Sequence, residues 1–590
     1  MTIKVALYTP PDYDCHFPTL GTPALSAFLR KSGVPCDQAD LNLAYRDFLA
    51  RRVTSAPGGP LSLKEQRLFL KPLAQKFFAE RLKGRYYSDL FPRDSDGIFT
   101  DLPYGNNTNS SFYFCERMLS SEHLWRYLED SQENTFLQFY EESPILGRLE
   151  KDGAGLFGIS IISPSQAIAS LTLALFIKKK LPRAHVTIGG QWATLYHSEL
   201  MRKKELFRFI DSIIVFEGES ALCELALALD RGASIDSIPN VILRDTVLDA
   251  GFTRREEDMD RLPCPDFDGL SLEEYDGAPF GTIGLTYETS RGCYWSKCAY
   301  CVDLPLPKPS YRKKDPSLVV ADMRELKERH GAGYLYFGDP GLSPRQMYLI
   351  AKRMIEERVD ILWWTMARLD PGFDRVLFDL AYKAGLRQIN FGFESASDRV
   401  CGALDKGNRR ERSARIIADC AASGIKVDLQ TMLGLPGESF DDALETVDFL
   451  VSHRDKITHV TFNTYYLTPF NYIYQDPARY GIEYEKNSAL PFQFFTPFKN
   501  LRGMDASQAA QVEKIYYSLA GRYAPKAPAA TLSLAGVARK AGGIGGAGRG
   551  EVEFALNGES VKLRYLYDAA KEDYAFIEED PSEQKTEAVL

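Results

Sequence analysis

The chain has 590 residues, with 71 Lys and Arg against 80 Asp and Glu and a formal net charge of −9. Hydrophobic residues at 45% and charged residues at 26% exclude disordered, collagenous and extreme-charge classes and leave several domains with large cores. The mildly acidic balance argues against a general nucleic-acid or membrane-surface binder and favours a small or peptide-like substrate.

The opening, MTIKVALYTPPDYD, lacks the apolar stretch of a signal peptide, and no run of about 18 apolar residues follows, so the chain reads as cytoplasmic with no membrane partner. Lys4–Tyr8 is a short apolar run, Leu20–Ser32 has helical spacing, and Val34–Leu41 completes a β-α-β start. Residues 43–150 break the pattern with Arg-rich and aromatic helical stretches and a polar loop over Gly105–Ser111, and read as an insertion. Alternation resumes with the strand Leu156–Ile162, the helix Gln166–Lys180, the strands His185–Ile188 and Ser212–Phe216 and the helix Ser220–Asp230. An α/β fold follows, opening with a doubly wound, Rossmann-like sheet over residues 1–245.

Residues 246–280, within the Pro- and acid-rich stretch Arg244–Phe280, read as a linker. Over 281–490 six strands alternate with amphipathic helices: Gly284–Thr289, Gly333–Phe337, Ile361–Met366, Gln388–Phe393, Lys426–Leu433 and His459–Tyr466. Six such units predict a partial, TIM-like (β/α)6 barrel with its chemistry at the C-terminal strand ends. Residues 491–590 form a small α+β extension: a helix over Ala506–Tyr523, an Ala/Gly-rich linker over Ala524–Gly550, and a hairpin over Glu551–Tyr567 turning at Asn557-Gly558.

Ten cysteines are too sparse for a disulfide scaffold. Three of them cluster in Cys293-Tyr-Trp-Ser-Lys-Cys298-Ala-Tyr-Cys301, directly after the first strand of the second unit. Three thiolates within nine residues can ligate one soft metal centre. They can hold a four-iron cluster with one iron left open, or a structural zinc completed by a distant residue. Cys36, Cys223, Cys264, Cys401 and Cys420 read as small buried hydrophobes. Of Trp363 and Trp364, strand alternation lets only one face the barrel interior.

Tyr287-Glu-Thr-Ser-Arg-Gly-Cys293 with Cys298, Tyr300 and Cys301, the run Phe391-Gly-Phe-Glu-Ser-Ala-Ser-Asp398, and Gly434-Leu-Pro-Gly-Glu-Ser439 together resemble the radical S-adenosylmethionine (radical SAM) superfamily. The resemblance implies a [4Fe–4S] cluster on Cys293, Cys298 and Cys301, with SAM on the fourth iron. The first cysteine spacing is four residues where three is usual. By the same resemblance Tyr300 lies beside the adenine, and Glu394 and Ser395 contact the ribose and methionine ends of SAM. Asp339, in Phe337-Gly-Asp-Pro-Gly341, stands where the family often has an acceptor for the SAM amino group; a turn residue is the other reading. Gly434 to Gly437 lets the backbone approach the nucleoside, or forms an ordinary Pro-Gly turn.

The N-terminal unit resembles the cobalamin-binding domain that precedes many radical SAM cores. The carrying residues are Pro18-Thr-Leu-Gly21, Phe157-Gly-Ile-Ser160, Ile188-Gly189-Gly190 and Phe216-Glu217-Gly218-Glu219. Cobalamin contacts are accordingly expected from Leu20, Gly21, Ser160, Gly189, Gly190, Glu217, Gly218 and Glu219. The Asp-x-His-x-x-Gly signature is met only as Asp14-Cys-His16, with Thr19 in place of glycine. Cobalamin is therefore expected base-off, without a protein histidine on cobalt.

This pairing implies methyl transfer to an unactivated carbon: a 5′-deoxyadenosyl radical abstracts hydrogen and methylcobalamin donates the methyl group. It also implies an external electron donor, flavodoxin- or ferredoxin-like, and a small-molecule or peptide substrate. Alternatives are a cobalamin-dependent cyclase or rearrangement enzyme, a methylthiotransferase with a second cluster on Cys15, Cys36 and Cys115, and a non-catalytic scaffold. No residue of the sequence names the substrate.

Overall fold

The computed structural model describes residues 3–51, 53–55, 90, 110–144, 146–149, 153–247, 253–275, 282–301, 310–486, 490–523, 548–556, 559–568 and 573–577. The polar loop at 105–109, the segment 524–547 and the turn at Asn557-Gly558 lie outside these residues.

The first sheet begins with β1 (Val5–Thr9) and β2 (Cys36–Asp40); β3 (Val53–Ser55) leaves it; β4 (Leu156–Ser160), β5 (His185–Gly189), β6 (Ser212–Ile214) and β7 (Val241–Ile242) complete it. The order is β2-β1-β4-β5-β6-β7, parallel throughout except for the antiparallel edge strand β7. That edge strand is too short to register as a period in the sequence. Alternate residues of β1 feed two cores. Val5 and Leu7 face Leu29, Leu222 and Leu225 from the helices Gly21–Lys31 and Glu219–Arg231, whereas Ala6 and Tyr8 face Ile168 and Leu171 from the helix Ala167–Lys180. This two-sided covering is the doubly wound arrangement.

The helix Ala167–Lys180 is buried on nearly every side, as its all-round apolar sequence demands. Its outer face is covered by the insertion helices Ser110–Ser120, Leu124–Glu129 and Thr135–Glu142; Tyr140 Oη donates to Ala169 O at 3.0 Å and Asn134 Nδ2 to Thr172 Oγ1 at 3.0 Å. The insertion thus belongs to the core of the first unit.

The second sheet contains β8 (Ile283–Tyr287), then the short ribbon β9 (Ser290–Arg291) and β10 (Arg312–Lys313), then β11 (Ala332–Phe337), β12 (Leu362–Arg368), β13 (Leu386–Glu394), β14 (Lys426–Leu433) and β15 (His459–Thr464). Its six strands run parallel in sequential order, β15-β14-β13-β12-β11-β8, as an α/β half-barrel. The returning helices open on side-chain caps: Asp315, Ser343, Asp374 and Ser439 each accept a backbone N–H of the first turn. Leu335, Trp363, Ile389, Phe391 and Val427 point outward onto those helices. The alternate residues Tyr336, Trp364, Asn390 and Gln430 therefore face the interior.

After the barrel, β16 (Ile482–Tyr484) and β17 (Phe498–Asn500) pair, and the helix Ala506–Tyr523 packs on the barrel. Between them Phe492, Phe494 and Phe495 dock on Trp192, Tyr196 and Phe112 of the first unit. β18 (Gly548–Leu556), β19 (Glu559–Asp568) and β20 (Asp573–Ile577) form antiparallel pairs, and the sheet ends on β3, giving the order β20-β19-β18-β3. Neither β3 nor β20 was legible as a strand.

Candidate active site at the junction of the two sheets

The cysteine loop leaves the C-terminal end of β8 and is anchored at both ends. Asp339, following β11, is fully buried and turned onto the loop: it accepts from Thr289 N and Thr289 Oγ1 at 3.1 and 2.9 Å and from Ser290 Oγ at 2.5 Å. Burial pushes its carboxyl up to about 6. The acceptor expected for a SAM amino group thus has both oxygens committed to residues 289–290, closer to the turn-residue alternative. Gly292 then takes φ +77°, and a Cβ there would stand 2.6 Å from Ser310 O, so only glycine lets the chain enter the loop.

Within the loop Cys298 is buried and Cys293 and Cys301 are half-buried. Arg368, at the end of β12, brings Nη1 to 3.6 Å from Cys298 Sγ while pairing with Asp370 at 2.9 Å and stacking on Trp295. The buried Lys406–Glu394 pair, 2.9 Å apart, lies close by; burial works against the protonated lysine, and the Glu394 carboxylate, with a smaller contribution from Cys298, holds it protonated. Two cations beside one sulfur suit an anionic thiolate centre. Among the described residues, sets of three ligand-type atoms within 4.8 Å of one another are Cys264–Asp322–Glu325 and Asp266–Asp268–His330. Asp266 and Asp268 are already engaged by Arg329.

The residues expected around SAM are divided. Tyr300 holds its phenol O–H buried with no partner, an orphaned polar atom beside the loop. Glu394 takes a left-handed φ of 61°, uncommon for a side chain of its size, and stays fixed by Lys406. Ser395 is turned away, 3.2 Å from Thr446 Oγ1 and accepting from Ser397 N. Gly434 has φ +76°, and a Cβ would meet Ala509 of the helix Ala506–Tyr523 at 3.6 Å. That glycine takes the left-handed turn and gives up its N–H to Glu438 Oε2 at 2.8 Å.

A cavity of about 320 Å³ lies at the C-terminal ends of β1, β4, β5 and β6. Leu20, Gly21, Ser160, Gly189, Gly190, Glu217, Gly218 and Glu219 all line it, with Glu288 and Arg291 of the cysteine unit. Its position beside β1 and β4, where the winding of the sheet reverses, is where doubly wound folds bind ligands. Not all its glycines face a ligand. A Cβ on Gly190, at φ +95°, would strike Ile161 O at 2.4 Å, so this glycine is required by the chain itself. His16 is half-exposed, bonded through Nδ1 to Asp14, and is not among the lining residues.

The two units meet through charge. Arg291 pairs with Glu217 at 3.1 Å, Glu219 at 2.6 Å and Glu288 at 2.6 Å, and Arg312 holds Glu217 through both nitrogens. Burial works against the Glu217 carboxylate, but hydrogen bonding to Arg312 and the charge of Arg291 hold it below its usual range. Sequence reasoning missed both arginines; the Glu-Gly-Glu run called for cationic partners, but nothing local named them. Phe17, from the loop after β1, stacks over Tyr334 inside the half-barrel at 6.3 Å and meets Tyr336 at a tilt, 5.9 Å away, and Tyr336 stacks on Trp364 at 4.3 Å. Trp364 is the interior member of the tryptophan pair; Trp363 donates to Ala384 O on the helix side.

Residues 287–450 match the family model of the radical SAM superfamily. An uncharacterized methyltransferase of Pyrococcus horikoshii is 24% identical over 342 residues, 56% of this chain and 70% of that protein. An anaerobic magnesium-protoporphyrin IX monomethyl ester cyclase of Rubrivivax gelatinosus is 24% identical over 362 residues, 60% of this chain and 63% of that protein. Among solved structures, the radical SAM methyltransferase TsrM from Kitasatospora setae, with cobalamin and a [4Fe–4S] cluster bound, superposes with TM-score 0.55 at 15% identity over 87% of this chain and 91% of that one. The cobalamin-dependent radical SAM enzyme OxsB, with aqua-cobalamin and SAM bound, gives 0.57 at 13% identity over 88% and 67%. These likenesses extend the shared fold across both sheets. The motif order and the half-barrel agree with the radical SAM family match over residues 287–450.

Proposed function

We propose that the chain is a cobalamin-dependent radical SAM methyltransferase acting on an unactivated carbon of a small molecule or peptide, with an external one-electron donor and a cytoplasmic setting that keeps its thiols reduced. One observation carries the reading: the cavity lined by Glu217-Gly-Glu219 is also lined by Glu288 and Arg291, which lead directly into the Cys293–Cys301 loop. We assign residues 1–245, including the insertion at 43–150, to cobalamin, 281–490 to the radical core joined by the linker 246–280, and 491–590 to an extension that helps to cover the site.

Cys293, Cys298 and Cys301 would hold the [4Fe–4S] cluster, Tyr300 and Glu394 would contact SAM, and the cavity residues would hold cobalamin. When bound, these groups supply a 5′-deoxyadenosyl radical and a transferable methyl group. The chain's own residues do the rest. Arg368 and Lys406 offset thiolate charge at Cys298. Phe17, Tyr334, Tyr336 and Trp364 give the interior an aromatic wall that excludes water, which a reactive radical requires. Orienting contacts remain available at Trp364 Nε1 and Asn390 Oδ1, both buried without partners on the interior face.

The test is anaerobic purification with iron, sulfide and a cobalamin supply, followed by cofactor quantification before and after Cys293→Ala. About four irons per chain, lost in the variant while about one corrinoid is retained, is the expected result. Iron without corrinoid would refute the methyltransferase reading. The likeness to the Rubrivivax cyclase favours a second reading, ring closure, which labelled SAM separates: only methyl transfer carries its methyl label into product.

A further inference from the structure

The cysteine loop is fastened at two points that belong to different sheets. Thr289 and Ser290 are fixed to Asp339 of the half-barrel, and the very next residue, Arg291, is fixed to Glu217 and Glu219 of the first unit. Only Gly292 separates Arg291 from Cys293, and that glycine is itself wedged against Ser310 O. The return strand β10 repeats the arrangement. Arg312 pairs with Glu217, donates to Glu257 O at 2.6 Å, and Glu257 N in turn donates to Glu217 Oε2 at 2.7 Å.

Glu217, Glu219, Glu288 and Arg291 also line the 320 Å³ cavity, so an occupant touches the same carboxylates that fix the loop. Arg291 is only 16% exposed and Glu219 5%. Charge-assisted bonds at this depth are strong and directional, and a two-residue tether leaves no slack to absorb a shift. We propose that Arg291 is a positioning residue that couples occupancy of the cavity to the placement of Cys293, so that cofactor binding at one site tightens binding at the other. The inference rests on the proposed function for the identity of the cavity's occupant. Coupling of this kind is reciprocal: whatever factor the cavity ligand exerts on the cluster loop, the cluster exerts on the ligand.

The measurement is the affinity of the full chain for hydroxocobalamin, by absorption and fluorescence titration, with the iron–sulfur centre reconstituted and with it removed. In the wild type, reconstitution tightens hydroxocobalamin by about 5-fold or more. Arg291→Gln brings that ratio to near one, and because the readout is a ratio, any weakening common to both forms cancels. Arg291→Lys, which keeps the charge but reaches one carboxylate, restores part of it. Glu219→Gln, an isosteric change on the other partner, lowers the ratio in the same direction and serves if the arginine variant does not fold. A wild-type ratio of one, or an unchanged ratio in the variants, overturns the coupling alone. Failure of hydroxocobalamin to bind either form overturns the proposed function, and the coupling with it.

Discussion

Glu116 lies on the insertion helix Ser110–Ser120, 3% exposed, and its Oε1 accepts from Phe494 N at 2.6 Å and Phe495 N at 3.2 Å. It therefore ties the insertion to the segment leaving the barrel. Burial pushes its carboxyl up to about 8, against the two backbone bonds and the charge of Arg117, from an ordinary value of 4.5. The folded state binds this proton more tightly than the unfolded chain, so the contribution is complete below about pH 4.5 and is lost as pH rises through 8. At about 1.4 kcal/mol per pH unit, the rise from pH 5 to pH 7 removes about 3 kcal/mol. Glu116→Gln imitates the protonated carboxyl: its carbonyl still accepts both amides and it cannot ionise. Urea-unfolding stabilities of the cofactor-free chain at pH 4, 5, 6, 7 and 8 should converge for wild type and variant towards pH 4. They should separate in favour of the variant by about 3 kcal/mol at pH 7. Glu116→Ala should be destabilised at every pH, since each stranded amide costs about 1–3 kcal/mol. Parallel pH profiles for wild type and Glu116→Gln would refute the argument that this carboxyl is held protonated.

Asp339→Ala strands three buried donors of Thr289 and Ser290 at about 1–3 kcal/mol each; iron retained after reconstitution should fall well below wild type, with Asp339→Asn intermediate. Removing one member of the Lys406–Glu394 pair by Lys406→Met should cost about 3–5 kcal/mol. The double variant Lys406→Met/Glu394→Gln should recover much of that in a denaturation cycle. Gly190→Ala places a Cβ 2.4 Å from Ile161 O at a φ of +95°, and should lower thermal stability and corrinoid retention together, whereas alanine at Gly232, where a Cβ meets nothing, carries only the backbone cost.

Much of the architecture was legible because it is written in local periodicity. The six barrel strands were placed within two residues of their observed ends, since outward residues such as Leu335, Ile389 and Val427 alternate with polar or aromatic interior ones. The eight residues expected around cobalamin share one cavity because strand-end glycines and the Glu-Gly-Glu turn all sit at one edge of a parallel sheet. Illegible were the partners supplied from a distance: Arg291 and Arg312 for Glu217, Arg368 for Cys298, and β3 for β18. Such pairings leave no periodic trace. Asp339 and Gly434 show the converse, residues in motif positions whose oxygens or missing Cβ are used by the chain itself.

The strand β3 meets β18 with Ser55 opposite Glu553, roughly 500 residues further along. At about 5–20 residues per second of synthesis, Val53–Ser55 waits on the order of 25–100 s for its partner after leaving the ribosome. Both sheets of the core can form during that interval, so closure of the small sheet is the step that joins the two ends of the molecule. A bare edge held for that long is a place where nascent copies can pair with each other. Slowing or truncating the C-terminal strands should therefore raise the aggregation of newly made chains more than it lowers the stability of finished ones.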